Sequence, residues 1–250
     1  MPQIWRLIPL LQASGQKQMA LDAWLLDQHC RGEHPPVLRF YTWSPPAISL
    51  GYHQRHWPEH WHQLIWQDHP VELIRRPTGG RAVLHQGDLT YAVVMSELPV
   101  QRLQAYQRIC EFLIQGWRSL GVDLDYGNAK GGHLHNPNCF GTATGADLVL
   151  TNGAKLIGSA QVWRKGAVLQ HGSIRLDPNP GLFTQVFGSD AGFAPSPRLC
   201  LPKASLMESV IAALVSAARD CFQAQFVAQP LSALEWQAVE AYSAVASVDC

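Results

Sequence analysis

One run of eleven residues, Arg75-Arg76-Pro77-Thr78-Gly79-Gly80-Arg81-Ala82-Val83-Leu84-His85, concentrates three arginines, two adjacent glycines, a threonine and a histidine. Glycines let a backbone approach a ligand and expose N–H donors, while arginines add fixed positive charge. The combination suits a carboxylate, a phosphate or a polarised carbonyl; a solvated basic turn would have the same composition. Cys139 lies among polar and glycine-rich neighbours, unlike Cys110 and Cys221, which sit within helical runs. A thiolate there, stabilised by a nearby cation, would be a nucleophile; the alternative is a buried core cysteine. Lys155 opens an apolar run and is followed by Gly158-Ser159-Ala160. It reads either as a lysine directed at a ligand that small residues admit, or as a surface lysine at a strand end. In the surface setting its replacement would change stability by no more than ~0.5 kcal/mol. His85 and His171 could orient a thiol, polarise a carbonyl or hydrogen-bond in the core. A thiolate, a lysine and a cationic glycine loop suffice for acyl transfer, with cations and N–H groups holding the developing oxyanion. They do not name a substrate.

The elements that must position these residues follow from periodicity. Residues 71–74 and 88–95 read as strands, so the arginine–glycine run is a loop held between them. Residues 4–10 read as a first strand, and Ser14 caps a helix over 16–29 whose Met19, Ala20, Ala23, Trp24 and Leu26 share a face. Residues 37–43 and 47–52 are rich in strand formers and are separated by Ser44-Pro45-Pro46, which predicts a hairpin. Residues 58–68 read as a helix through Trp57, Trp61, Leu64 and Ile65. Ile109, Leu113, Trp117 and Leu120 predict a helix that Gly121 stops. A short strand over 122–126 precedes an irregular stretch, 127–145, whose composition is that of a functional loop. Asn152-Gly153 between alternating runs predicts a hairpin, and Lys165-Gly166 a second turn, giving a three-strand meander over 147–176. A short helix over 182–187, a loop over 188–198, a helix carrying the stripe Met207, Val210, Ile211, Leu214, Val215, Ala218 and Phe222, and a last helix over 232–246 complete the chain. Without a βαβ rhythm, the fold class is α+β with a largely antiparallel sheet.

With 250 residues, 47% of them hydrophobic, the chain suits one catalytic domain, 1–250, with a short helical C-terminal region at about 200–250. Zero formal net charge argues against nucleic acid as the main partner. The first residues lack a basic, apolar leader, and no apolar run reaches the ~18 residues that span a membrane. The six cysteines form no CxxC pair, which favours a reduced, cytoplasmic setting over a disulfide framework or a zinc site. His53, His56, His60, His62 and His69 crowd one segment. No thiol is interleaved as a metal ligand, so a polar face is the reading and no metal is expected.

The arginine–glycine run resembles the RRxTGGxxVxH signature of the lipoate-protein ligase and octanoyltransferase superfamily. Met19-Ala20-Leu21-Asp22 resembles its first-helix motif, and Arg39-Phe40-Tyr41 with Ser49-Leu50-Gly51-Tyr52 its RFY…SxGY segments. Lys155-Leu156-Ile157-Gly158-Ser159-Ala160-Gln161 and Gln170-His171-Gly172-Ser173 resemble its K…GSAQ and QHGS segments. The resemblance runs over about residues 3–177, and the last seventy residues add little. Cys139-Phe140, sixteen residues before Lys155, matches the cysteine-dependent octanoyltransferases. The resemblance implies a biotinyl/lipoyl protein ligase-like, class II synthetase-like catalytic domain with a mixed sheet and flanking helices. It implies that an octanoyl or lipoyl group passes from acyl carrier protein to Cys139, then to a lysine of a lipoyl domain, such as the glycine cleavage H protein or a 2-oxoacid dehydrogenase E2 subunit. Neither nucleic acid nor membrane is an implied partner.

Catalysis would rest on Cys139 and on Lys155, which would position the thioester carbonyl. The acyl site would be walled by Arg75, Arg76, Thr78, Gly79, Gly80, Arg81 and His85, with Gly158, Ser159, Ala160, His171 and Gly172 opposite. No cofactor is implied for a transferase. One departure from the pattern is Gly141-Thr142-Ala143-Thr144-Gly145-Ala146, where the family carries an aromatic-acidic segment. Two other functions fit the same motifs: an ATP- and Mg-dependent lipoate-protein ligase working through an acyl-adenylate, and a non-catalytic binder of lipoylated proteins.

Overall fold

The computed structural model describes residues 2–127, 147–188 and 203–246. Strand β1 (Gln3–Ala13) leads into helix α1 (Gly15–Cys30), whose N-cap Ser14 accepts from the Lys17 N–H. β2 (Val37–Trp43) and β3 (Ala47–Leu50) follow. Then come a 3₁₀ turn (Glu59–Gln63), the paired β4 (Ile65–Trp66) and β5 (His69–Pro70), and β6 (Glu72–Arg75), β7 (Val83–His85) and β8 (Asp88–Met95). Helix α2 (Arg102–Ser119) precedes β9 (Leu124–Tyr126), β10 (Asp147–Leu150), β11 (Lys155–Arg164) and β12 (Ala167–Arg175). α3 (Pro180–Phe187), α4 (Leu206–Phe222), β13 (Ala224–Ala228) and α5 (Ala233–Ala246) complete the order. No helix among the described residues is long and apolar enough to cross a membrane.

The main sheet has eight strands in the order β13-β1-β2-β8-β12-β11-β10-β9. Its first two pairings are parallel and the others antiparallel, so the sheet is mixed and largely antiparallel, as the sequence predicts. Helices cover both faces, which is why β8 and β12 are buried along their whole length. Leu38, Phe40, Leu89, Tyr91 and Val93 point toward α2 and α4, whose stripes Ile109–Leu113–Trp117 and Val210–Leu214–Ala218 complete that core. Val37, Tyr41, Trp43, Ala92, Val94 and Leu169 point the other way, onto Leu21, Trp24 and Leu25 of α1. A second, three-stranded sheet, β6-β3-β7, packs through Ile48, Leu50 and Ala82 on Trp61 and on Leu182 and Val186 of α3.

Three sequence expectations are corrected. The strands at 37–43 and 47–50 do not form a hairpin: β2 pairs with β1 and β8, and β3 joins the small sheet between β6 and β7. Residues 58–68 are not an α-helix. Trp61 and Leu64 do pack inward, from a 3₁₀ turn, but Gln67 and Asp68 take left-handed φ values of 49° and 63° and reverse the chain between β4 and β5. The C-terminal region is not purely helical, because β13 adds a strand beside β1. Arg6, 2% exposed, fastens this region. It donates to both oxygens of Glu235 and to the carbonyls of Gln229 and Pro230, and it holds the Glu235 carboxyl down at about 2.

Candidate active site

Sheet register assembles the site. Opposite residues on neighbouring strands share a face, and here two rows cross four strands on the α1 side. One row is Arg39–Ala92–His171–Ala160; the next is Tyr41–Thr90–Ser173–Gly158, continued by Asp147 on β10. The small sheet brings the loop at 76–82 over these rows. Between them lies a cavity of about 50 Å³, lined by Met19, Trp43, Val83 and His85 on one side and by the backbone of Gly158, Ala160 and Gly172 on the other.

The loop is held by its own side chains. Arg76 is buried and donates to the Ser49 carbonyl (2.8 Å) and hydroxyl (3.2 Å), and to the carbonyls of Gly79 (2.8 Å) and Arg81 (2.7 Å). Arg75 turns away from the cavity, donating to the carbonyls of Gly51 (2.9 Å) and Gln54 (2.8 Å). The two guanidiniums staple backbone here, where the sequence suggested charge presented to an anion. Gly80 has a φ of 96°, a conformation that side chains disfavour. Gly51 approaches Gly80 so closely that a Cβ on it would lie 1.8 Å from the Gly80 carbonyl oxygen. Arg81 is half-buried, and its carbonyl is one of the acceptors for Arg76.

Two hydroxyl–imidazole–carboxylate relays lie beneath the loop. In the first, Thr78 Oγ1 is 2.6 Å from His171 Nε2, and His171 Nδ1 is 2.8 Å from Asp22 Oδ2. Asp22 also accepts from Tyr41 Oη (2.8 Å) and Arg39 Nη1 (2.9 Å), and all of these groups are buried. In the second, Ser49 Oγ is 2.8 Å from His85 Nε2, and His85 Nδ1 is 2.8 Å from Asp88 Oδ2, which also accepts from Ser173 and Thr90. Trp43 stacks on His85 at 3.8 Å and donates to the Thr90 hydroxyl. Burial pushes the His85 pKa down, and Asp88 only partly opposes it. Burial, reinforced by Asp22, pushes the Tyr41 phenol well up.

The lowered His85 pKa gives a testable sign. Below the ordinary histidine value of 6.5 the unfolded chain takes up a proton that the folded site resists. The unfolded state then binds more protons, and stability rises with pH through this window. Urea midpoints are expected to climb from pH 5 to pH 7, and to climb less in His85→Gln. An equal climb in the variant would remove His85 as the cause.

Lys155 corrects the surface reading. It is 6% exposed, and its ammonium is 2.9 Å from Asp147 Oδ1. Its side chain runs beside Gly158: a Cβ there would lie 2.8 Å from Lys155 Cε and 3.0 Å from Nζ. The glycine therefore leaves the room that brings the ammonium to the margin of the cavity. Ser159 borders the cavity, but its hydroxyl turns to the other face and meets Tyr91 Oη at 2.7 Å. Cys139 lies outside the described residues, as does the stretch 128–146. In the histidine-rich segment, His62 accepts from Trp57 and His60 contacts the Gln185 carbonyl.

Asp22, Arg39, Ser49, Gly51, Asp88 and Asp147 were not singled out from the sequence as site residues. A signal existed for Asp22 and Arg39, each a lone charge on a stretch that is otherwise buried and apolar. Asp147 could have been placed by counting back from the Asn-Gly turn, which sets it opposite Gly158.

Comparisons with known proteins fit this geometry. The model of the lipoyl protein ligase A/B catalytic domain matches residues 14–214. Octanoyltransferase LipM of Geobacillus kaustophilus is 39% identical over 196 residues, covering 74% of this chain and 70% of that protein. Octanoyltransferase LipM of Symbiobacterium thermophilum is 37% identical over 236 residues, covering 89% and 85%. Among solved structures, lipoate-protein ligase A bound with ATP superposes with a TM-score of 0.75 at 21% identity, covering 98% of this chain and 94% of that one. The lipoate protein ligase of an archaeal lipoylation system from Thermoplasma acidophilum gives 0.67 at 22%, covering 97% and 91%. At such identities the structural likeness is one of fold. The matched span takes in α1 with Asp22, the stapled loop, both relays, and Lys155 with its aspartate, and on that evidence the chain belongs to the lipoyl protein ligase A/B catalytic domain family.

Proposed function

We propose that this protein is an octanoyltransferase of protein lipoylation, with residues 1–250 acting as one catalytic unit. The observation that carries the reading is 39% identity to an octanoyltransferase over 196 residues, 74% of this chain. The arrangement supports it chemically. The cavity has apolar and aromatic walls suited to an alkyl chain, with a buried ammonium at its margin.

In this reading the Cys139 thiolate attacks the carbonyl of an octanoyl thioester on acyl carrier protein. A C–S bond forms to Cys139, the carrier's C–S bond breaks, and the carrier leaves as its thiol after taking a proton. The acceptor lysine amine of a lipoyl domain then attacks the Cys139 thioester. An amide forms, the amine loses a proton, and the cysteine thiol is restored. Lys155 donates to the carbonyl oxygen as negative charge grows on it. Arg76 and the 78–81 backbone wall the acyl chain opposite Gly158, Ala160 and Gly172. No cofactor enters either step, whereas ATP and Mg would be needed by a ligase.

The test offers octanoyl–acyl carrier protein and an apo lipoyl domain without ATP. The expected result is an acceptor heavier by about 126 Da, with the same increment appearing on Cys139 when the acceptor is withheld, as covalent catalysis requires. Labelling only with free lipoate and ATP would establish a ligase instead. Transfer at full rate by Cys139→Ser would exclude the thioester step.

A further inference from the structure

The two relays share a polarity, and that points to what they do. Asp22 accepts from Arg39, from Tyr41 and from His171, so the His171 proton sits on Nδ1 in the neutral ring. Nε2 must then accept, and the Thr78 hydroxyl is the donor, at 2.6 Å. Thr78 is fully buried and lies below the cavity lining, so it is not placed to react with substrate. Its bond acts on the chain. Oγ1 is joined to the backbone through a single carbon, so holding it limits the backbone at 78 and the direction of the Gly79 and Gly80 peptides that follow. The Thr78 carbonyl is itself fixed, accepting from the Tyr52 N–H at 2.8 Å. Two residues earlier, Arg76 is anchored to Ser49, which leads through His85 to Asp88.

We propose that Asp22 and His171 are positioning residues for acyl transfer, acting through the Thr78 hydroxyl to hold the glycine turn against the acyl cavity. This rests on the octanoyl-transfer reading above. Neither residue needs to touch the acyl group. Asp22 sets the tautomer of His171, His171 sets the direction of the Thr78 hydroxyl, and Thr78 sets the turn.

The test compares wild type, Thr78→Ser and Thr78→Val. Serine keeps the donor; valine keeps the shape and removes it. Three quantities are read: kcat and KM for octanoyl transfer, the melting temperature, and backbone hydrogen exchange in the peptide spanning 76–82. Thr78→Val is expected to lower kcat at least about tenfold with KM within threefold, since small misplacements of a reacting geometry have effects of this size. Exchange at 79–81 is expected to quicken by a similar factor, and Thr78→Ser to restore both. A purely structural role would lower the melting temperature alone and leave kcat unchanged at temperatures where the variant is folded. Equal behaviour of valine and serine overturns the proposal. So does a fall in kcat without faster exchange, or faster exchange without a fall in kcat. If Thr78→Val does not fold, Thr78→Ala replaces it under the same criteria. If wild type transfers no octanoate, the functional reading fails by itself, and the exchange data still decide whether the hydroxyl holds the turn.

Discussion

Lys155→Ala is expected to reduce octanoyl transfer by about a hundred- to a thousandfold, the scale on which removal of a group stabilising the developing oxyanion is felt. It is also expected to cost roughly 3–5 kcal/mol of folding stability, because it strands one half of a buried ion pair. Lys155 and Asp147 are both almost completely buried and 2.9 Å apart. Losing the ammonium takes a counter-charge away from a carboxylate at a place water scarcely reaches. A second variant separates the two effects. Lys155→Met with Asp147→Leu removes both charges and replaces them with apolar groups, which is often neutral or better for stability. The double variant should therefore regain most of its urea midpoint while transferring no octanoate. Single-turnover transfer and urea titration on the same samples decide the matter. Recovery of transfer in the double variant would remove Lys155 from the chemistry. Wild-type stability in the single variant would mean that the ion pair contributes nothing to the fold.

Gly51→Ala is expected to lower kcat/KM by about a hundredfold, the effect reported for displacements of roughly an ångström in a reacting geometry. The new Cβ would sit 1.8 Å from the Gly80 carbonyl oxygen and 2.8 Å from its carbonyl carbon. Both are backbone atoms, so no side chain can swing aside. The glycine turn must lift off β3, carrying with it the wall that it gives the cavity. The main sheet lies elsewhere and should survive, so circular dichroism is expected to stay that of wild type while the melting temperature falls by several degrees. Unchanged kinetics would show that the turn can move freely without consequence, which would also weaken the case for the relays beneath it.

Much of the fold could be read from the chain. The three-strand meander followed from Asn152-Gly153 and Lys165-Gly166, since local turn chemistry fixes antiparallel neighbours. The stripes of α2 and α4 were legible because one face of each helix is core. What escaped was non-local or unmarked. β2 and β3 are adjacent in sequence, yet β3 is buried throughout and β2 at every residue but Thr42, so alternation cannot say which strand each will choose as partner. At 58–68 the apolar spacing was real but was satisfied by a 3₁₀ turn and a tight reversal at Gln67-Asp68, neither of them glycine. α4 likewise ends on Gln223 in the left-handed region, so nothing announced the strand that follows.

The site divides in the same way. Residue types pointed to acyl chemistry, and register brought His171, Ala160 and Gly158 around one cavity. That Arg75 and Arg76 would spend their donors on carbonyls, or that Lys155 would be buried against Asp147, depends on contacts between segments far apart in the chain.

The place of β13 matters before the protein is finished. β1 pairs on one side with β2, which follows it closely, and on the other with β13, some two hundred residues later. During synthesis β1 and β2 emerge early, but the outer rim of β1 has no partner until the ribosome has made residue 228. An unpaired strand rim on a nascent chain is a template for intermolecular pairing. Nascent chains stalled before residue 224 are therefore the ones that chaperones must shield, and Arg6 closing on Glu235 is among the last events that end this vulnerability.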